Sequence, residues 1–303
     1  MTVIEIEKTP FSLDITLSSG QVFRWKKING WWHGLINQNI FFLRQRESGL
    51  EIKTQDNKNL EDVIDYFRLK EDISEIHRSI SKDIIMKKLI ADFGGLRIIR
   101  QDPWECLLSY ICSTNMSIPG TDRMLDNLAI RFGERKKFKG EQNYVLPDIK
   151  SIANTEINEI RDCGLGYRSR YVKEVAVYLS DHKVSLEKLR MMDLTQARDF
   201  LLEKNDDQKK LCGVGPKVAD CVLLFSLDKI NAFPIDRWIE RQINRYYKKL
   251  FEKKLVNDTI LNTDNSRSLS PKQYNVMNST MRQYFGSNAG YAQELLFLNR
   301  KKA

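Results

Sequence analysis

The chain has 303 residues, 42% hydrophobic and 29% charged, which describes a globular protein with ample core and room for one large or two ordinary domains. Lysine and arginine outnumber acidic residues 49 to 40, a formal net charge of +9, which fits a solvated basic surface or an anionic partner, DNA or RNA above all. No run reaches about 18 consecutive apolar residues, so no membrane-spanning helix is expected, and the opening MTVIEIEKTP lacks the basic start and apolar stretch of a signal peptide.

Residues 1 to about 55 read as strands. FSLDITL puts Phe11, Leu13, Ile15 and Leu17 at a period of two. VFRWKKINGWWHGLI carries Asn29-Gly30 between aromatic-rich runs, a strong hairpin signal, and NIFFLRQ and LEIKT follow it. This predicts an antiparallel sheet with one wet face. After about residue 57 the apolar spacing turns to three and four in NLEDVIDYFRL, DIIMKKLIADFG, PWECLLSYICS and RYVKEVAVYL, the last with Tyr171, Val175 and Leu179 on one stripe. Residues 140–147 and 257–270 read as loops, and 240–254, with six Lys or Arg against two Glu, as a solvated helix face. The layout predicts an α+β protein: an antiparallel-sheet domain with helices over 1–98, then a mostly helical body over 99–303.

The five cysteines, Cys106, Cys112, Cys163, Cys212 and Cys221, form no CxxC pair. That argues against a cysteine-ligated zinc or iron–sulfur site and suits reduced thiols in a reducing cell interior. His33, His77 and His182 lack ligand spacing and receive no role.

LCGVGPKVADC, at 211–221, reads as the turn of a helix–hairpin–helix spanning about 196–226. Gly213 and Gly215 allow a tight backbone with positive φ, and their bare N–H groups at a helix start suit a phosphate as well as an ordinary helical connection. Pro216 fits the first helical position, but Lys217 follows at the positive end of the helix dipole, where a cation is disfavoured. A helix N-terminus and partial burial both lower a lysine's pKa, so a poor place for stability is a good place for a nucleophilic amine; the plain alternative is an exposed lysine. FPIDRWIER follows, with Asp236 as an N-cap after Pro234. The roughly eight residues linking the two helices can extend about 26 Å, enough to bring Asp236 back to Lys217.

GVGPKVADC followed by FPIDRW resembles the helix–hairpin–helix DNA glycosylases with a Gly/Pro–Asp loop. With SSGQVFRW, RQDPWECLLSYICSTN, GLGYRSRYV and YAQELLF in order, the chain is similar to the eukaryotic-type 8-oxoguanine DNA glycosylases over about residues 11–298. The resemblance implies a bifunctional glycosylase and AP lyase, monomeric and intracellular (cytoplasm and nucleoid, or nucleus), acting on duplex DNA. In it Lys217 attacks C1′ of the damaged nucleotide and forms a Schiff base, and Asp236 assists. It implies that Asn115 fills the gap left by the flipped base, Tyr167 wedges beside it and Arg168 bonds the estranged cytosine. Gly213 and Gly215 would meet the DNA. Gly20, Cys221, Pro234, Gln293 and Phe297 would form the base pocket, the Gly20 carbonyl accepting the N7–H that only the oxidised base carries. No cofactor is implied beyond a monovalent cation held by the carbonyls of Lys209, Leu211 and Val214.

Two positions depart from the pattern. Gly120 stands where a second cytosine-reading arginine is usual, with Arg123 off register, and Trp238 stands where a histidine is expected. The resemblance leaves two alternatives: a glycosylase of this class for another damaged purine, and a DNA-binding module without chemistry. The module would not need Lys217, Asp236 and a Gln293–Phe297 pair together.

Overall fold

The computed structural model describes residues 2–5, 10–47, 49–55, 60–205, 208–209, 211–251 and 269–302. The first part runs β1 (Thr2–Glu5), α1 (Leu13–Leu17), β2 (Lys26–Ile28), β3 (Trp31–Ile36), β4 (Asn39–Arg46), β5 (Gly49–Thr54), α2 (Leu60–Tyr66), α3 (Ile73–Ile80) and α4 (Ile84–Phe93). Next come α5 (Pro103–Cys112), α6 (Ile118–Phe132), β6 (Arg135–Phe138), β7 (Glu141–Tyr144), α7 (Ile149–Asn154), α8 (Ile157–Ile160) and α9 (Arg168–Asp181). The remainder is α10 (Leu194–Leu202), β8 (Lys204–Asn205), β9 (Gln208–Lys209), α11 (Pro216–Ser226), α12 (Arg237–Tyr246), α13 (Pro271–Phe285) and α14 (Ala289–Leu298). No helix among the described residues is long and apolar enough to cross a membrane.

The α+β class and the sheet are as expected. Five antiparallel strands lie in the order β1-β5-β4-β3-β2, and Asn29 and Gly30, both at positive φ, turn β2 into β3. Two expectations are corrected. FSLDITL is not a strand: Ser12 caps α1 by accepting the Ile15 amide, and Leu13, Thr16 and Leu17 are buried at helical spacing. Residues 141–144 are not loop: β7 pairs with β6 through a Lys139-Gly140 turn whose residues both have positive φ. The charged segment behaves as a wet face, with Arg241, Arg245, Lys248 and Lys249 exposed; residues 252–268 of the two expected surface segments lie outside the described residues.

Two cores form. The smaller joins the sheet to α1 and α2 through Leu13, Phe41, Leu43, Ile52 and Phe67. The larger fills the helical body. α3 and α4, which precede residue 98, contribute Ile73, Ile80, Met86 and Leu89 to the larger core, and Ile99 packs in the smaller. Four cysteines are buried, Cys212 is half-buried, and none of the five is in a disulfide.

Glu105 in α5 borders a cavity of about 40 Å³ shared with Trp25, Tyr66 and Ser109. Burial, with Asp102 nearby, pushes its carboxyl from the ordinary 4.5 up to about 7. The folded state therefore holds this proton longer than the unfolded chain, and stability falls as pH rises through that interval. Glu105→Gln should abolish this slope, leaving the variant more stable than the parent at pH 8 by about 1–3 kcal/mol in urea unfolding, with the advantage gone at pH 4.

Candidate active site

α10 enters through a capping box, Asp193 with Gln196, and α11 leaves at Pro216, with Gly215 as N-cap. Of the two hairpin glycines only Gly213 needs to be one, a correction to the expectation for both. Its φ is +78°, and a Cβ there would stand 2.6 Å from the Tyr171 ring. Gly215 has φ −99° and open space around it, so its bare backbone leaves room for an approaching partner. The Val214 amide donates to the Leu211 carbonyl at 3.1 Å, which closes the turn.

Lys217, the second residue of α11, is half-buried and faces a cavity of about 570 Å³ that Asp236 also lines. Its Nζ lies 4.7 Å from the centroid of the Tyr110 ring. That ring stacks on Phe225 with centroids 5.6 Å apart, and its hydroxyl donates to the Gln21 carbonyl at 3.0 Å. Tyr110 is not legible in the sequence because nothing separates it from the other apolar positions of α5. Asp236 is the expected N-cap of α12: its Oδ1 accepts the Ile239 amide at 2.8 Å.

The two groups are tied together by Asp220, one turn along α11 from Lys217. Asp220 is 1% exposed and accepts from Arg198 Nε at 2.8 Å, Tyr274 Oη at 2.7 Å and Asn278 Nδ2 at 2.9 Å. Tyr274 Oη in turn accepts the Ile235 amide at 3.1 Å, and Asn278 donates to the Phe233 carbonyl at 2.8 Å. The carboxylate thus grips both sides of Pro234, just before Asp236. Asp220→Ala would take a partner from the half-buried Arg198 guanidinium and strand two buried donors, and a loss of about 2–4 kcal/mol is expected in urea unfolding.

The expected pocket residues converge. Gly20, Cys221, Pro234, Gln293 and Phe297 all line the same cavity. Burial pushes the Cys221 thiol up to about 12, so it offers a neutral apolar wall and no nucleophile. Gln293, on α14, is 5% exposed, and its buried Oε1 has no partner among the described residues. A buried acceptor left unpaired is costly, and a ligand donor would relieve it. Gly20 sits at φ +100°, where a Cβ would meet Arg300 Nη2 at 2.8 Å and Phe297 Cε1 at 3.1 Å.

At the rim, Asn115 is exposed, lines the cavity and has φ +52°, past the Ser113 cap of α5. Tyr167 is 52% exposed after a turn with Gly164 and Gly166 at positive φ, its ring edge-on to Tyr171 at 5.7 Å. Arg168 follows Tyr167 at the start of α9. It is 5% exposed and turned inward, its guanidinium donating to the carbonyls of Thr114, Asn115 (3.2 Å) and Leu165 (3.4 Å). It therefore holds the loop that presents Asn115, and reaching an orphaned base would require it to release those carbonyls. Trp238 is half-buried off the cavity wall, its indole N–H unpaired among the described residues. Met116, 40% exposed, lies over Gly120, so a thioether fills the space where an arginine would stand. No group of His, Cys, Asp and Glu among the described residues could hold a metal ion.

An amine at a helix start in a glycine-turn hairpin, with a capping aspartate across one cavity, is the arrangement expected of the helix–hairpin–helix DNA glycosylases. The sequence family 8-oxoguanine DNA glycosylase, N-terminal domain, matches residues 3–107. The chain is 30% identical to the N-glycosylase/DNA lyase of Saccharomyces cerevisiae over 320 residues, covering 97% of this chain and 84% of the yeast protein. It superposes on MBOgg1, solved with a low-affinity DNA ligand, at TM-score 0.84 and 30% identity, covering 100% and 99% of the two chains. Against the 8-oxoguanine glycosylase/lyase of Clostridium acetobutylicum, solved with double-stranded DNA containing cytosine opposite 8-oxoG, the TM-score is 0.82 at 27% identity, covering 100% and 98%. The chain belongs to the 8-oxoguanine DNA glycosylase/AP lyase family and is a DNA-repair enzyme with both activities.

Proposed function

We propose that the chain excises 8-oxoguanine from duplex DNA and nicks the strand at the resulting site, with Lys217 as nucleophile. The observation that carries this is one cavity bounded together by an amine, a carboxylate, an unpaired buried amide oxygen and an aromatic ring. Lys217 Nζ attacks C1′, the bond from C1′ to the base breaks, and the base leaves with that electron pair and takes up a proton. The amine then forms an imine with the opened sugar, and β-elimination breaks the strand on the 3′ side before water frees Lys217. Asp236 relays the ammonium proton of Lys217 to solvent and, as the carboxylate, stabilises positive charge growing at C1′, a contribution of several kcal/mol at a shielded site.

The damaged nucleotide must leave the stack, at a cost of a few kcal/mol. Asn115 and Tyr167 take the vacated space. The base enters between Cys221 and Phe297, with Pro234 on the same wall, its Watson–Crick edge on Gln293 and its N7–H on the Gly20 carbonyl. Guanine's N7 is an acceptor and would be repelled there. Gly213 and Gly215 present the hairpin's N–H groups to a phosphate. The carbonyls of Lys209, Leu211 and Val214 are the oxygen donors a monovalent cation takes, and such an ion would stiffen this turn. In this reading the enzyme acts as a monomer. The setting is the intracellular genome.

The test is duplex carrying 8-oxoguanine opposite each of the four bases, incubated with borohydride. A covalent adduct is expected opposite all four. With Met116 over Gly120 the orphaned base meets no arginine fork there, so preference for cytosine should stay within about tenfold. Binding without adduct or product would favour a module that only grips DNA.

A further inference from the structure

Arg300 lies just beyond α14, in the turn Asn299–Lys302 that ends the described chain. Its guanidinium carbon stands 3.7 Å from the centroid of the Phe297 ring, a cation–π contact. Its Nη2 donates to the Ser19 carbonyl at 2.6 Å, and its Nη1 to the Phe297 carbonyl at 3.3 Å. The Gly20 peptide between Ser19 and Gln21 is thus held from both sides. On the Gln21 side, the carbonyl accepts from Tyr110 Oη at 3.0 Å and Gln101 Nε2 at 2.9 Å. On the Ser19 side the long-range donor is Arg300, which also fills the space beside Gly20 where a Cβ would fall.

We propose that Arg300 is a specificity-setting positioning residue, clamping the Gly20 carbonyl and the Phe297 ring into one rigid unit that reads the oxidised base. The clamp joins a loop of the sheet domain to the C-terminal helix, 281 residues apart in sequence, so neither wall alone sets their spacing. Arg300 touches no substrate atom in this account. It fixes where the carbonyl sits when N7–H arrives, and a displacement of about 0.5 Å is enough to lose such a contact. The inference rests on the reading of Gly20 and Phe297 as pocket walls.

The test uses the Lys217→Gln protein, which cannot turn over, and two duplexes: 8-oxoguanine opposite cytosine, and the 7-deaza analogue, whose C7–H replaces the N7–H donor. Lys217→Gln alone should bind 8-oxoguanine about tenfold more tightly, the worth of one hydrogen bond. Adding Arg300→Ala should bring that ratio to about twofold or less. Arg300→Lys, which keeps a donor but loses the plane, should fall between, and it keeps the test decisive if the alanine disturbs folding. A general loosening would weaken both duplexes alike and leave the ratio unchanged, and an unchanged ratio in both variants overturns the clamp. A ratio near one in Lys217→Gln itself would remove the Gly20 reading, and the clamp with it.

Discussion

Lys217→Gln is expected to lower single-turnover excision of 8-oxoguanine by at least about 10⁴-fold, the scale on which loss of a nucleophile acts, and to abolish strand nicking and borohydride trapping. Duplex affinity should change little. Lys217 reaches its place by the geometry of α11, where Pro216 starts the helix and Val218 and Ala219 bury behind it. Glutamine keeps most of the side chain's length, so the Tyr110 wall stays covered. What it cannot do is bond to C1′, and in the proposed reaction both activities pass through that bond. Rates of excision and nicking should therefore fall together. Excision that persisted while nicking vanished would mean that water attacks C1′ in this protein, with Lys217 acting afterwards.

Asp236→Asn should cost about 10²–10³-fold in excision rate with little change in the unfolding midpoint. One side chain holds two jobs. As N-cap of α12, Asp236 accepts the Ile239 amide, and asparagine caps a helix about as well. As a charge beside C1′, it has no substitute. Asp236→Ala would confound the two by removing the cap as well, at about 1 kcal/mol of stability. Parental kinetics in the Asp236→Asn protein would reduce this aspartate to its structural role.

Local signals carried far. Asn29-Gly30, Pro216 and the cap at Asp236 are decided within a few residues, and each falls where the sequence places it. The pocket residues Gly20, Cys221, Gln293 and Phe297 were legible only through the family resemblance, since in one sequence Cys221 and Phe297 look like other core positions and Gly20 like any turn residue. α1 misleads because Leu13, Ile15 and Leu17 also fit a period of two. The decision lies with the Ser12 cap and with Thr16 Oγ1 accepting the Arg97 amide, a contact across 81 residues. The β6–β7 hairpin escapes a sequence reading because Arg135–Phe138 is almost wholly charged and shows no alternation. Arg168, Asp220 and Arg300 act through partners 54, 54 and 281 residues away, and no spacing rule reaches that distance.

The most direct measurement is where the sugar attaches. After incubation with 8-oxoguanine duplex and borohydride, the trapped protein is digested and the modified peptide identified by mass spectrometry. A reduced deoxyribose remnant is expected on Nζ of Lys217. A remnant on another lysine or on the N-terminal amine would contradict that assignment.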